Sequence, residues 1–231
     1  MLNTRQVVFI ACAVVFGALC TRLGVWQLQR LGQRKQRNAE LVARMSEPPV
    51  DVAALPRDTS LARFRRVRLN GRYDYAHESV LAYRERNGAP GVDVITPLRM
   101  AGNDTAVLVD RGWVYSPDGS TIDHGLWREP DSVSATGRVQ TLWVGPGPAV
   151  TGNRPDRLRW VSPEAVAAWA GYPVRPYDVM LEGDTAVTPS HPVRFGQPAV
   201  DEGPHMSYAI QWFSFALIAI IGAGLAVVRF K

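Results

Sequence analysis

The sequence predicts a membrane protein in which two transmembrane helices flank a mostly antiparallel β (α+β) domain on the extracytoplasmic side. Two runs of 22 residues, 7–28 and 207–228, carry a single charge between them, Arg22. At about 1.5 Å of rise per residue, each is long enough to cross a hydrocarbon core about 30 Å thick. All 21 acidic residues lie between Glu40 and Glu202. The polar stretch from residue 30 to 206 is therefore a separate domain, long enough to bury a core of its own.

The first apolar run starts almost at Met1, yet it reads as an uncleaved anchor. It is too long for a signal-peptide core, and Thr21-Arg22-Leu23-Gly24-Val25-Trp26 is no small-residue cleavage site. With no transit peptide ahead of it, the expected location is a bacterial cell membrane, crossed twice. Orientation signals conflict. Arg5, Arg229 and Lys231 favour cytoplasmic termini, whereas Arg30, Arg34, Lys35 and Arg37 argue the reverse. Long domains translocate largely regardless of charge, and Asp201-Glu202 precede the second helix while Arg229 and Lys231 follow it. The expectation is an outward domain with both termini cytoplasmic.

Residues 31–46 continue the first helix with an apolar edge of Leu41, Val42 and Met45, and stop before Pro48-Pro49. Strand patterns follow at Val67–Leu69, Val80–Tyr83, Val92–Leu98, Ala106–Tyr115, Val133–Trp143 and Val174–Leu181. Asn87-Gly88 and Gly102-Asn103 punctuate them as turns. One short helix is expected at residues 163–170, with Ser162 as N-cap and Gly171 as stop. Pro148–Arg157 and Pro189–Pro204 read as loops.

Composition excludes several functions. Between Arg30 and His205 there are 22 basic and 21 acidic residues, so no basic face for nucleic acid. Both cysteines, Cys12 and Cys20, lie in the first helix about 12 Å apart along it. The domain thus has no disulfide, Cys-x-x-Cys pair or thiolate metal site. No hydrolase motif, zinc-protease motif or P-loop is present, and Asp123-His124 and Ser190-His191 are expected on opposite faces of strands. The chain does not read as an enzyme.

Two places carry open alternatives. His205, Tyr208 and Trp212 fall at i, i+3 and i+7 where the second helix begins. A histidine there is able to ligate haem iron; the plainer reading is an aromatic belt at the headgroups. Trp26 marks the same interface on the first helix. The basic run from Arg30 to Arg37 suits propionates, acidic partner loops or anionic membrane lipids. Gly222-Ala223-Gly224 is expected to allow close helix packing.

Taken in order, several segments resemble the Surfeit-locus family of cytochrome c oxidase assembly factors. Gly24-Val25-Trp26-Gln27-Leu28-Gln29-Arg30, followed by Lys35, is similar to that family's Gly-x-Trp-Gln-x-x-Arg…Lys motif. Thr96-Pro97-Leu98 and Leu108-Val109-Asp110-Arg111-Gly112-Trp113 match its central strands, and His205-x-x-Tyr208-x-x-x-Trp212-Phe213 its second-helix motif. Two departures stand out: the family usually has Asn at Asp110, and polar Asn-rich residues where Glu202-Gly203-Pro204 stand. The resemblance implies a factor that handles haem a, or stabilises the oxidase catalytic subunit while cofactors enter, with haem a synthase as a further partner. It makes His205 the haem-iron ligand, with Tyr208, Trp212, Trp26 and Arg30 around the haem. Gly24, Gln27, Lys35, Arg111, Gly112 and Trp113 become motif positions of structural or partner-binding role. Arg111 is expected to be buried in pairing or presented to a partner, and Gly112 to mark a bulge or close backbone approach. The alternative is a permanent accessory subunit of the oxidase or a respiratory supercomplex, with no haem of its own.

Overall fold

The computed structural model describes residues 4–183, 185–186, 190–198 and 200–229; Pro189, Lys231 and the side chain of Arg229 lie outside them. The chain divides into two units, one of residues 1–42 with 199–231 and one of residues 43–198.

The first unit pairs two helices, α1 (Thr4–Ser46) and α4 (His205–Arg229). Both are long and apolar enough to cross a bilayer. On α1, the residues shielded from solvent recur at Gly17, Cys20, Gly24, Gln27, Leu31 and Asn38, and on α4 at His205, Ala209, Trp212, Ala216 and Ala219. The alternation of three and four residues averages 3.5, the seam of a left-handed helix pair. The glycines that allow close approach are on α1. A Cβ at Gly24 would stand 2.7 Å from the Phe213 ring, and one at Gly17 would touch Ala219 at 3.7 Å. Gly222 and Gly224, expected to pack closely, have nothing within 4 Å of where a Cβ would be. That expectation is corrected: at this level the helices stand apart, and Gly222 lines an apolar gap with Phe9, Cys12 and Phe16 of α1.

Among the described residues the second unit forms one nine-stranded sheet with short helices. The strands are β1 (Val50–Asp51), β2 (Arg66–Tyr73), β3 (Ser79–Arg86), β4 (Ala89–Arg99), β5 (Ala106–Tyr115), β6 (Ser132–Gln140), β7 (Val150–Thr151), β8 (Arg154–Leu158) and β9 (Val174–Leu181). Their order is β1-β2-β6-β9-β5-β4-β3-β8-β7, and β2 also pairs with β4 through Arg72↔Arg99 and Tyr73↔Leu98. That last pairing closes a ring of five strands, β2-β6-β9-β5-β4. Within it only β5 and β9 run parallel. The sheet is mixed, since β1–β2 and β3–β8 are parallel too. Inside the ring, Val67, Leu69, Leu98, Val107, Val109 and Val179 are fully buried and pack together. On the opposite face, Leu81, Ile95, Leu108 and Leu158 form a second cluster with Val166 of α3. β4 and β5 are covered on both faces, which is why Val92–Leu98 and Ala106–Val114 are apolar almost throughout.

Local chemistry explains the joints. Asn87 (φ 52°) and Gly88 (φ 79°) are both left-handed, as a two-residue hairpin between β3 and β4 requires. Helix α3 (Pro163–Ala170) starts where Ser162 accepts from Ala165 N–H and ends at left-handed Gly171. A further turn of helix, α2 (Thr59–Ala62), is capped by Asp58. Pro148–Arg157, expected as a loop, instead contains the β7–β8 hairpin. The reason it reads as a loop is Pro155, tolerated because β8 is paired only through its ends. The strand expected to reach Trp143 stops at Gln140.

Gly112 has φ 121°, and a Cβ there would lie 2.3 Å from the Val193 carbonyl oxygen. Its bare backbone lets residue 193 lie against β5, where Trp113 and Val193 exchange two hydrogen bonds of 3.0 and 2.8 Å. Gly112→Ala should therefore destabilise the domain by about 1–3 kcal/mol or more. Thermal unfolding of the full chain in detergent reads it, with Gly102→Ala, where a Cβ meets nothing, losing only its backbone-strain share.

Candidate functional site

Two motif residues of the two helices, Gln27 and His205, meet across the seam. His205 opens α4, and its Nδ1 lies 2.9 Å from Oε1 of Gln27 on α1. An amide oxygen only accepts, so Nδ1 carries the hydrogen and donates it. In the neutral ring this leaves Nε2 with its lone pair, the form in which histidine binds a metal. Gly203, left-handed at φ 71°, lies beside that edge: a Cβ there would stand 3.6 Å from Nε2.

The segment before His205 is tied to α1 by three further bonds. The Asp201 carbonyl accepts from Arg34 Nε at 2.9 Å and from Asn38 Nδ2 at 3.0 Å. Glu202 pairs with Lys35 at 3.5 Å, and both are half exposed, which limits that bridge to about 0–1 kcal/mol. Asp201 Oδ1 accepts the Gly203 N–H, and the Pro204 carbonyl accepts from Tyr208 N–H. The Asp201-Glu202-Gly203-Pro204 sequence thus makes a folded turn with its own contacts.

The aromatic stripe is only partly assembled. Trp212 is on the seam with His205 and meets Phe215 edge to face at 5.9 Å. Tyr208 is 47% exposed and lies off the seam, where Ala209 takes its place. Trp26 is also exposed, capped by Arg30, whose guanidinium lies 5.6 Å above its ring and bonds Gln33. Of the basic run, Arg34 and Lys35 are occupied by the 201–202 segment. Arg30 stays on the surface.

The other motif residues belong to the second unit. Arg111 is completely buried and satisfied: Glu78 at 2.5 Å, Glu129 at 2.8 and 3.0 Å, and the Trp127 carbonyl. Tyr73 and Tyr75 lie 5.3 and 5.2 Å from its guanidinium carbon. Thr96 donates to Glu78 at 2.6 Å, and Arg194 bonds both Glu129 and the Arg111 carbonyl. His124 Nδ1 reaches the other Glu78 oxygen at 2.7 Å, which raises the His124 pKa above its usual 6.5. Of the alternatives for Arg111, internal pairing is the arrangement found. Trp113 lies over Gly91, where any Cβ would collide with the indole at 2.3 Å. Asp123-His124 and Ser190-His191 are not on strands at all, so strand alternation does not govern them. Among the described residues no three His, Cys, Asp or Glu side chains converge as a metal site. Sequence reasoning missed Glu78, Glu129, Arg194, Asn38 and Asp201, whose partners lie 18 to 167 residues away.

Comparison with known proteins gives a consistent picture. The SURF1 family profile matches residues 14–217. A SURF1-like protein of Mycobacterium tuberculosis is 30% identical over 222 residues, covering 91% of this chain and 79% of its own. Surfeit locus protein 1 of Rattus norvegicus is 26% identical over 207 residues (83% of this chain, 66% of the rat protein). A SURF1-like protein of Drosophila melanogaster is 29% identical over 219 residues, with 84% and 69% covered.

Arg111→Ala should cost about 3–5 kcal/mol, because it leaves the buried Glu78 without its arginine, while Glu129 keeps Arg194. The raised His124 pKa has a definite sign. Its stabilising share is complete below the unfolded value near 6.5 and is lost as pH rises through the higher folded value. His124→Gln should accordingly flatten the melting-temperature profile on that limb and leave the profile above it unchanged. On the helices, Gly24→Leu should lower the melting temperature in detergent, as overpacking costs about 1–3 kcal/mol. Gly222→Leu should be nearly neutral.

Proposed function

The chain belongs to the SURF1 family, and from that membership we propose that it is a membrane-anchored, non-enzymatic biogenesis factor for a haem a–containing cytochrome c oxidase. It holds haem a for, or alongside, the oxidase catalytic subunit, and haem a synthase is the natural source of that cargo. The observation that carries the reading is the His205–Gln27 hydrogen bond. Motif residues of two helices, 178 positions apart, are joined so that one imidazole nitrogen is fixed and the other is left open.

The residues present fit the group. A free Nε2 beside a glycine would suit a ligand to haem iron, and Trp212 would supply an aromatic neighbour on the same seam. Arg30 is a basic residue of the run placed to face a propionate, since a charge-assisted bond there replaces only its contacts with Gln33 and the Trp26 ring. The haem, when bound, would be cargo in transit, with no reaction asked of the protein. His205 holds, Gln27 orients, and the clamp of Arg34, Lys35 and Asn38 keeps the turn at residues 201–204 in place.

A membrane setting is supported by the outward faces of both helices. Val7, Val14, Leu19, Ile210, Ile218 and Ile221 are all exposed in water and suited to lipid. In the proposed orientation the sheet domain is extracytoplasmic and both termini are cytoplasmic, in a bacterial cell membrane.

The direct test is an absorption spectrum of the full chain in detergent, supplied with haem a. Wild type should bind haem stoichiometrically with sharp Soret and α bands, and His205→Ala should lose them. Gln27→Ala should weaken binding by about tenfold, the usual size of an outer-shell loss. Equal haem retention in wild type and His205→Ala would remove the ligand role. No haem in either would favour a scaffold that stabilises the catalytic subunit.

A further inference from the structure

A second polar centre lies in the sheet domain, apart from Arg111 and its partners. A cavity of about 180 Å³ is lined by Asp93, Asp110 and Asp178, with Arg84, Trp143 and Trp160. The three carboxylates come from the neighbouring strands β4, β5 and β9. Strand alternation puts them on the face shared with Ile95 and Leu108. All three are buried, yet their polar partners are few. Asp93 accepts from Arg84 at 2.7 Å, and Asp110 from the Gly112 N–H at 3.1 Å. Asp178 is 2% exposed, and its Oδ1 has no hydrogen-bond partner among the described residues.

Burying a carboxylate without a partner costs several kcal/mol, so this arrangement is expensive as it stands. The missing element is positive charge. A volume of 180 Å³ equals about six waters at about 30 Å³ each, more than a bare ion fills. The three carboxylates also do not converge as metal ligands do. Two tryptophans stand at the cavity, Trp160 buried and Trp143 67% exposed, their rings edge to face at 6.2 Å. Leu81 and Met180 add apolar wall. Carboxylates at the bottom and aromatic faces along the side are what a cation on an aliphatic stem requires.

We propose that this pocket receives a lysine side chain of a partner polypeptide, its ammonium on Asp178 and Asp110 and its methylenes against Trp160 and Trp143. Asp178 has one buried, unpartnered oxygen. That suits a compact ammonium, whereas a guanidinium seeks two coplanar acceptors. Arg84 is already engaged by Asp93, and Arg159 is exposed, so neither neutralises Asp178. The inference is independent of haem binding.

Proton linkage follows from the same geometry. The groups around Asp178 are Asp93 from β4, Asp110 from β5, Gln140 from β6 and Arg84 from β3, with Arg159 beyond them. Burial, with Asp93 adding repulsion, pushes Asp178 up to about 7 and Asp110 well above its ordinary value. An arriving ammonium must displace a proton below that pH, so binding weakens as pH falls.

The test is tryptophan fluorescence of the full chain in detergent, titrated with Nα-acetyl-lysine methylamide. At pH 8 the change should saturate, and at pH 5.5 binding should be more than about tenfold weaker. Asp178→Asn should abolish it while melting higher than wild type at pH 8, because the orphan charge is gone. Should that variant fail to fold, Trp143→Ala, an exposed rim residue, should weaken binding several-fold without moving the melting temperature. No saturable change at pH 8, an unaltered titration in either variant, or a stronger response to the capped arginine or to calcium chloride alone would overturn the proposal.

Discussion

Two apolar helices in lipid gain little from burying side chains against each other, because the tails around them are as apolar as leucine. In the proposed membrane setting, the helix pair of this protein would therefore depend on what lipid cannot supply: close backbone approach and polar bonds. Gly24 lets α1 approach Phe213, and about one turn further along α1 Gln27 meets His205. Beyond that level the Asp201 carbonyl takes two donors from α1, Arg34 and Asn38. The same bonds that fix the pair also fix one ring of one histidine. Structure and proposed function thus share a single constraint, and loosening the seam at Gly24 is felt at His205.

A similar logic operates in the sheet domain. Arg111 stands where β5 leaves the closed ring, with two glutamates, a threonine, a carbonyl and two tyrosine rings around it. A buried guanidinium with this many partners is weak evidence for extra stability, since apolar residues of equal volume often do as well. Its effect is on which segments come together. Glu78, Glu129 and Arg194 lie outside β5, and each is drawn to it through this one side chain or its backbone. Gly112 next to it then admits residue 193. The Arg-Gly-Trp motif is a splice point for the domain.

How much of this the sequence discloses depends on the range of the interaction. The two helices, α3 with Ser162 and Gly171, and the Asn87-Gly88 hairpin are local chemistry and are legible residue by residue. The ordered motifs lead to the family and to His205, Gln27 and Arg111. What is hidden is pairing at a distance. Nothing near Gln27 announces its bond to a residue 178 positions away, and an i, i+3, i+7 stripe misplaces Tyr208 because the seam steps by four and then three from His205, through Ala209 to Trp212. The closure of β2 on β4, the β8 strand with its proline between β3 and β7, and the three buried aspartates likewise require the sheet order. Periodicity tells which face a residue is on; it does not tell what lies opposite.

The central claim is that Gln27 holds the Nδ1 hydrogen of His205 and leaves Nε2 unprotonated. Nitrogen-15 NMR of the full chain in detergent, labelled at histidine and assigned with His205→Ala, reads that tautomer directly. A protonated Nδ1 and bare Nε2 at pH 8 in wild type, shifting towards the commoner Nε2-protonated form in Gln27→Ala, is the predicted result. A wild-type ring already protonated at Nε2, unchanged by Gln27→Ala, would contradict it.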